Sequence, residues 1–211
     1  MERPLTQHIH SDGTTRTLRE YVKTGGYRCL QRLSSGLAPK DLQRLVTDAG
    51  LRGRGGGGFL TGTKWSFVPM GADAPKPKYI VANGDEMEPG TFKDRVLMEG
   101  DPHGLVEGMI LAGYAIDAEV GYIFLRGEYH LSAQRLTEAI AEAYAAGHLG
   151  KPLPGTGFRF DLHLHASAGR YICGEETALI NALEGKRAVP RAKPPFPQTV
   201  GLWGKPTVVQ N

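Results

Sequence analysis

The sequence predicts an α/β protein built on a mostly parallel sheet with helices on both faces, preceded by a short N-terminal helical segment. Two observations predict it. From residue 78 onward, short strand-like runs alternate with helical ones, the order that builds parallel sheets through crossover connections. The loops "NGDEMEPG", "RGEY" and "AGRYICGEE" also all fall just past the carboxyl end of a predicted strand, the edge where open α/β sheets take ligands.

Residues 1–52 are expected to form the helical segment, and residues 53–211 the α/β domain. Pro39 to Ala49 reads as a helix: Pro39 suits a first turn, Leu42, Leu45, Val46 and Ala49 share one face, and Gly50 stops it. "RGRGGGGFLTGTKW" follows, with no strand before its glycines, and Phe59 to Trp65 lacks a long apolar helical period. Lys78-Tyr79-Ile80-Val81-Ala82 is a buried-strand pattern that runs into the acidic loop. Asp101-Pro102 supplies a cap and a first-turn proline for an apolar helix ending near Ile116.

Val120 to Leu125 is the second strand. Leu131, Leu136, Ala139, Ile140, Ala143 and Tyr144 then recur at helical spacing, with Gly147 closing the helix. Phe158, Phe160, Leu162 and Leu164 alternate with Arg159, Asp161, His163 and His165, the clearest strand pattern in the chain. His163 and His165 are expected to be solvated or hydrogen-bonded strand residues, because no third metal ligand lies near them in sequence. Glu175 to Leu183, closed by Gly185, is a short helix, and the basic, proline-rich stretch from Lys186 to Lys205 reads as an extended surface strap.

At 211 residues and 40% apolar content, the chain can bury one large core. A net charge of +3 is too small to suggest nucleic-acid binding. Cys29 and Cys173 stand far apart, so neither a disulfide framework nor a CxxC metal site can be built, and a reducing compartment fits best. No apolar run of about 18 residues and no leader-like N-terminus is present, so the sequence is expected neither to span a membrane nor to carry a secretory signal.

The glycine run contains Gly53-x-Gly55-x-x-Gly58, the spacing of a dinucleotide fingerprint, but a helix rather than a strand precedes it. Taken locally, it is either an Arg-Gly linker or RNA-binding tract, or a backbone loop that admits an anion, with Lys64 as a phosphate partner or an ordinary surface lysine. Asp85, Glu86 and Glu88 could bind ribitol or ribose hydroxyls, hold Mg²⁺, or face water. Glu175 and Glu176 open a helix, where the dipole favours acids whatever the function, and they make that helix end a poor phosphate seat. There is no Ser/His/Asp constellation, nucleophile elbow or Walker loop, and hydride transfer is the reaction class that least needs them, since the cofactor carries that chemistry.

Together, "LRGRGGGGFLTGTKWSF", "NGDEMEPGTFKDR", "EGMILAGYAI", "GYIFLRGEY", "YICGEETALINALEGKRAVPR" and "KPPFPQTVGLWGKPT" closely resemble the NADH-binding flavoprotein subunit of respiratory complex I, from about Gly25 to the last residue. The resemblance implies a modified Rossmann-like fold that binds FMN with NADH stacked on it, passing hydride to the flavin, single electrons to iron–sulfur clusters and finally to quinone. It implies that Gly53, Gly55, Gly56 and Lys64 cradle the FMN and NADH phosphates, and that Arg54, Gly57, Gly58 and Gly62 also belong to the cofactor site. Phe59, Phe67 and Phe196 would stack on adenine with Lys193 nearby. Asn83, Asp85, Glu86, Gly174, Glu175 and Asn211 would hold the flavin or its ribityl chain, and Glu88, Tyr171 and Glu176 would position NADH.

The family usually has alanine where Gly57 stands, proline where Leu60 stands, and "NADESEPG" for "NGDEMEPG". It also continues into a ubiquitin-like domain and a helical bundle carrying a [4Fe-4S] cluster, neither of which is in these residues. The α/β domain is therefore expected to be incomplete at its C-terminal side, and the chain alone to be inactive or weakly active. Implied partners are other peripheral-arm subunits of the complex, especially the [2Fe-2S] 24 kDa-type subunit and the large iron–sulfur subunit. The implied location is the cytoplasmic side of the bacterial inner membrane, attached through the complex. A diaphorase subunit of a soluble NAD-dependent formate dehydrogenase or hydrogenase shares these motifs and is the alternative enzyme; a non-catalytic interaction module is the alternative of another class.

Overall fold

The computed structural model describes residues 3–211. Three helices come first: α1 (Leu18–Lys23), α2 (Arg28–Ser34) and α3 (Pro39–Asp48). A capping box starts α1, with Glu20 N–H donating to the Thr17 hydroxyl and Thr17 N–H donating back to the Glu20 carboxylate. Gly26 lets α2 turn tightly against α1, because a Cβ there would lie 2.1 Å from the Tyr21 ring. Helix α3 spans nearly the expected residues, but only Leu42 and Val46 of its apolar face pack on the core, while Leu45 stays 45% exposed.

The sheet has four strands, β1 (Tyr79–Gly84), β2 (Val120–Leu125), β3 (Asp161–Ala166) and β4 (Thr207–Gln210), all parallel, in the order β3-β2-β1-β4. Tyr79 pairs with Val120 on one side and Thr207 on the other, and Val120 pairs with Asp161. The chain thus steps outward from β1 to β3 and then returns to the far side of β1. The carboxyl ends of β1 and β4 form the topological switch point where such sheets bind ligands.

Burial on both faces gives β1 its continuous apolar run. Ile80 and Ala82 face the helices α6 (Pro102–Ile116) and α7 (His130–Ala145), with Val106, Ile110, Leu136 and Ala143 in the same core. Tyr79 and Val81 join Phe124, Val209, Leu179 and Ile180 under α8 (Glu176–Leu183) on the opposite face. Ile80, Val81, Ile123 and Phe124 are all 0% exposed, each stabilising the fold by roughly 1.5–3 kcal/mol.

Several details differ from the sequence expectations. Asp101 precedes α6 but gives it no side-chain cap, because its carboxylate is taken by the buried Arg16 guanidinium at 2.6 Å. Strand β3 begins at Asp161, and Phe160 instead wedges against Gly113 and Gly121, where Cβ atoms would come within 2.7 and 2.5 Å of its ring. A short helix, α4 (Thr61–Ser66), follows the glycine run, and α5 (Lys93–Gly100) follows the acidic loop. His165 stacks on Phe124 of β2 and His163 lies tilted against Tyr122, with ring centroids 5.2 and 5.4 Å apart.

Candidate functional site

The switch point is closed by two asparagines. Asn211, just past β4, donates to the Asn83 carbonyl at 2.9 Å and to the Asp94 carboxylate at 2.8 Å, while Asn83 donates to the Gly174 carbonyl at 3.0 Å. Over them lies the glycine loop, pinned at its base by Gly53 N–H to the Phe59 carbonyl (3.0 Å), by Arg52 to the Gly58 carbonyl (2.8 Å) and by an antiparallel bridge between Arg52 and Leu60. Gly53 and Gly55 back onto Gln210 and Asn211, where Cβ atoms would sit 3.1 and 3.4 Å away. Gly56, Gly57 and Gly58 face open space, and Gly56 (φ 103°) and Gly58 (φ 59°) hold left-handed conformations. The result is a bare backbone rim able to approach an anion closely.

Two adjoining cavities, about 540 and 280 Å³, share Asn83, Gly174, Glu175 and Asn211 in their walls. The larger adds Arg54, Asp85, Glu86, Glu88 and Tyr171; the smaller adds Phe59, Lys64, Glu176 and Lys193. The separated motifs therefore converge on one cleft, as their positions beyond the strand ends predict.

Each carboxylate has a different job. Both oxygens of Glu86 accept from the first amides of α5, Asp94 N–H at 2.9 Å and Arg95 N–H at 3.2 Å, and Tyr129 donates to it at 3.1 Å. Glu86 thus caps a helix from a distant loop. Asp85, 5% exposed, accepts from Ser167 at 2.9 Å through Oδ1, while its Oδ2 is buried without a partner, and burial raises its carboxyl above the ordinary value despite the Ser167 bond. Glu175 is the N-cap of α8, accepting from Thr177 and Ala178 N–H at 2.9 Å each.

Glu176 sits between two lysines, 2.7 Å from Lys64 and 2.7 Å from Lys193. Burial alone would raise its carboxyl, but these two ammonium groups carry it below the usual carboxylate range. Lys64 also donates to the Val209 carbonyl at 2.7 Å, which leaves one of the three ammonium protons for a ligand. Tyr171 donates to Glu88 at 2.6 Å at the exposed mouth, and that carboxylate raises the phenol.

Phe59 and Phe67 are 53% and 54% exposed with ring centroids 6.5 Å apart; among the described residues, no ring pair joins them to Phe196, itself 54% exposed. Gly62 lies in the contact between α3 and α4, where a Cβ would fall 2.1 Å from the Thr47 hydroxyl and 2.9 Å from its backbone, so the packing of these helices requires a glycine there. Lys93, which the sequence pattern did not single out, reaches Asp94 at 2.7 Å and Asn211 at 3.1 Å in the cleft wall. Ser167, the partner of Asp85, is a second such residue. Lys93 had a usable signal, a cation directly after the acidic loop; Ser167 had none.

A parallel, Rossmann-like sheet with a glycine loop and paired asparagines at its switch point defines a nucleotide-binding α/β protein. More particularly, residues 46–211 match the Nuo51 FMN-binding domain, and the chain belongs to that family. It is 56% identical to NADH-quinone oxidoreductase subunits of Salmonella typhimurium and of Escherichia coli, over 99% of this chain and 46% of each relative. Against the corresponding NADH-quinone oxidoreductase subunit of Mycobacterium bovis the identity is 51%, over 99% of this chain and 48% of the relative. The chain thus spans about half the length of these curated relatives. The crystal structure of an NAD⁺-reducing [NiFe]-hydrogenase in the H₂-reduced state contains a chain that superposes with a TM-score of 0.74 at 41% identity, covering 94% of this chain and 33% of that one.

Proposed function

We propose that this chain forms the FMN- and NADH-binding part of an NADH dehydrogenase that feeds electrons toward quinone. The observation that carries the proposal is the unpartnered, buried Oδ2 of Asp85 in a cleft whose opposite rim is open glycine backbone. That atom calls for a hydroxyl donor and the rim for an anion, and a flavin mononucleotide has both, on its ribityl chain and its phosphate. The residues present therefore fit FMN.

In this reading, Gly53, Arg54, Gly55, Gly56, Gly57 and Gly58 supply backbone amides and a guanidinium to phosphates, with the remaining proton of Lys64. Asn83, Asp85, Gly174, Glu175 and Asn211 hold the flavin and its ribityl chain, and Glu86 serves the flavin by fixing the start of α5. Glu88, Tyr171 and Glu176 orient NADH, and Phe59, Phe67 and Phe196 offer faces for adenine beside Lys193. When bound, FMN accepts the hydride and releases electrons singly. The protein's own contribution is orientation and charge: Lys64 and Lys193 keep Glu176 ionised, so that it accepts hydrogen bonds from the nucleotide without taking a proton.

The names of the relatives support electron delivery toward quinone together with other subunits; the partners proposed are a [2Fe-2S] 24 kDa-type subunit and a large iron–sulfur subunit. Attachment would be peripheral, on the cytoplasmic side of a bacterial inner membrane; among the described residues, no helix is long and apolar enough to cross a membrane. The likeness to the NAD⁺-reducing hydrogenase favours a second reading, a soluble diaphorase, while the higher identity to the NADH-quinone oxidoreductase relatives favours the first. Steady-state NADH:ferricyanide activity, measured with flavin content, tests the division of the cleft. Glu88→Gln and Glu176→Gln are expected to keep FMN and lose roughly tenfold to a hundredfold in kcat/KM for NADH, the loss of one charge-assisted bond. Loss of flavin with normal NADH kinetics in the remaining holoenzyme would place these carboxylates in the FMN site.

A further inference from the structure

The loop "RGEY", residues 126–129, follows β2 and lies outside the walls of both cofactor cavities, yet it grips the loops on either side of it. Toward β1, Arg126 N–H donates to the Gly84 carbonyl at 3.1 Å, and its guanidinium reaches two residues further to donate to the Glu86 carbonyl at 2.8 Å. Tyr129 donates to the carboxylate of that same Glu86 at 3.1 Å. Toward β3, Gly127 packs so closely on the Ser167 carbonyl that a Cβ would fall 2.3 Å from it, and Ser167 in turn donates to Asp85 at 2.9 Å.

Arg126 is the decisive residue. Glu128 aims its guanidinium by accepting from Nε at 3.2 Å, and the Tyr129 ring supports it at 5.2 Å. Bonds to the Glu86 carboxylate leave rotatable side-chain torsions between the anchor and the main chain. The bond from Arg126 instead fixes a planar peptide unit, the one joining Glu86 to Met87. Asp85 stands just before that unit and Glu88 just after it, and both line the larger cavity. Glu88 is exposed and is tied to Tyr171, itself at the mouth, so its main-chain direction depends on the anchor behind it.

We propose that Arg126 is a positioning residue for flavin binding, acting through the Glu86 carbonyl to hold Asp85 and Glu88 at a fixed spacing in the cleft. The inference rests on the flavin reading above, in which Arg126 itself touches no ligand. Without the anchor, the Glu86–Met87 peptide can turn, and the ligand must then pay to order the acidic loop when it binds. The planar fork of arginine serves Glu86 and Glu128 together, whereas a lysine offers a charged donor without that geometry.

The test is FMN affinity, read from flavin fluorescence in the protein at its native length, with hydrogen exchange at the Met87 and Glu88 amides alongside. Arg126→Met is expected to weaken FMN binding at least tenfold, the loss of one charge-assisted bond, and to speed exchange at both amides. Arg126→Lys keeps a charged donor and is expected to bind FMN at least threefold more tightly than Arg126→Met. Tyr129→Phe removes a single hydroxyl from Glu86 and is expected to weaken FMN about threefold, so a folding defect in the first variant does not decide the matter. Arg135→Met is the control: it deletes a matching arginine bond, 2.8 Å to the Glu99 carbonyl and outside the cleft, and is expected to leave FMN affinity and the two amides unchanged. Unchanged FMN affinity in Arg126→Met and Tyr129→Phe, equal affinities of the methionine and lysine variants, or equal weakening in Arg135→Met overturns the proposal and leaves the flavin reading standing. An unsubstituted protein that binds no FMN overturns both.

Discussion

Replacing Lys64 by methionine removes the ammonium and keeps most of the stem packing, so it isolates the charge contacts at the heart of the cleft. Two hydrogen bonds vanish, to Glu176 Oε2 and to the Val209 carbonyl, each 2.7 Å. Removing one partner of a fully buried ion pair costs about 3–5 kcal/mol. Here both side chains retain 19% exposure, and Glu176 keeps Lys193 at 2.7 Å on its other oxygen, so about 2 kcal/mol is the expected loss. For a chain of this size that lowers Tm by roughly 4–8 °C. Thermal unfolding of Lys64→Met, Glu176→Gln and the double variant completes a cycle. The double variant is expected to be about 1–2 kcal/mol less destabilised than the sum of the singles, since neither unpaired charge remains. Additive effects would mean that the two side chains do not interact and that Lys64 is free for a ligand.

Three further outcomes follow from the same geometry. Gly62→Ala is expected to cost about 1–3 kcal/mol in urea unfolding through its collision with Thr47, with FMN affinity per folded molecule unchanged; a stable variant with weakened FMN binding would place Gly62 in the cofactor site. Glu86→Gln is expected to speed hydrogen exchange at the Asp94 and Arg95 amides, because one acceptor of the α5 cap is lost, and unchanged protection would refute the capping role. Burial raises the Asp85 carboxyl in the folded state, so its favourable contribution is present below the ordinary aspartate range and disappears as pH rises through the folded value. Asp85→Asn is therefore expected to raise Tm at neutral pH, with the advantage vanishing on acidification, while FMN binding weakens. A pH-independent difference would contradict the assignment.

The strands that carry the cleft were legible because burial on two faces leaves uninterrupted apolar runs such as Tyr79 to Ala82, and the crossover helices α6 and α7 because their apolar spacing and proline or glycine ends are local signals. Helix α5 was not, since the carboxylate that caps it belongs to Glu86, seven residues upstream of its first residue, Lys93. Strand β4 was missed because its four residues, just past the basic, proline-rich stretch, are too few to give a pattern. The convergence of the glycine loop, the acidic loop and "CGEE" on one sheet edge was readable from their places beyond strand ends. The pairing of Lys64 with Glu176, 112 positions apart, was not, and neither was the closure of Gly62 against Thr47; both are tertiary facts without a local sequence signature.

FMN held in the β1–β4 cleft and reduced there by NADH is the central claim, and the most direct measurement is anaerobic NADH titration of the protein purified from its host at its native length, followed by flavin absorbance. Stoichiometric bleaching of a tightly held, acid-extractable FMN is predicted, with flavin retention reduced in Asp85→Asn. A purified protein that holds no flavin, or one whose flavin is untouched by NADH, would contradict it.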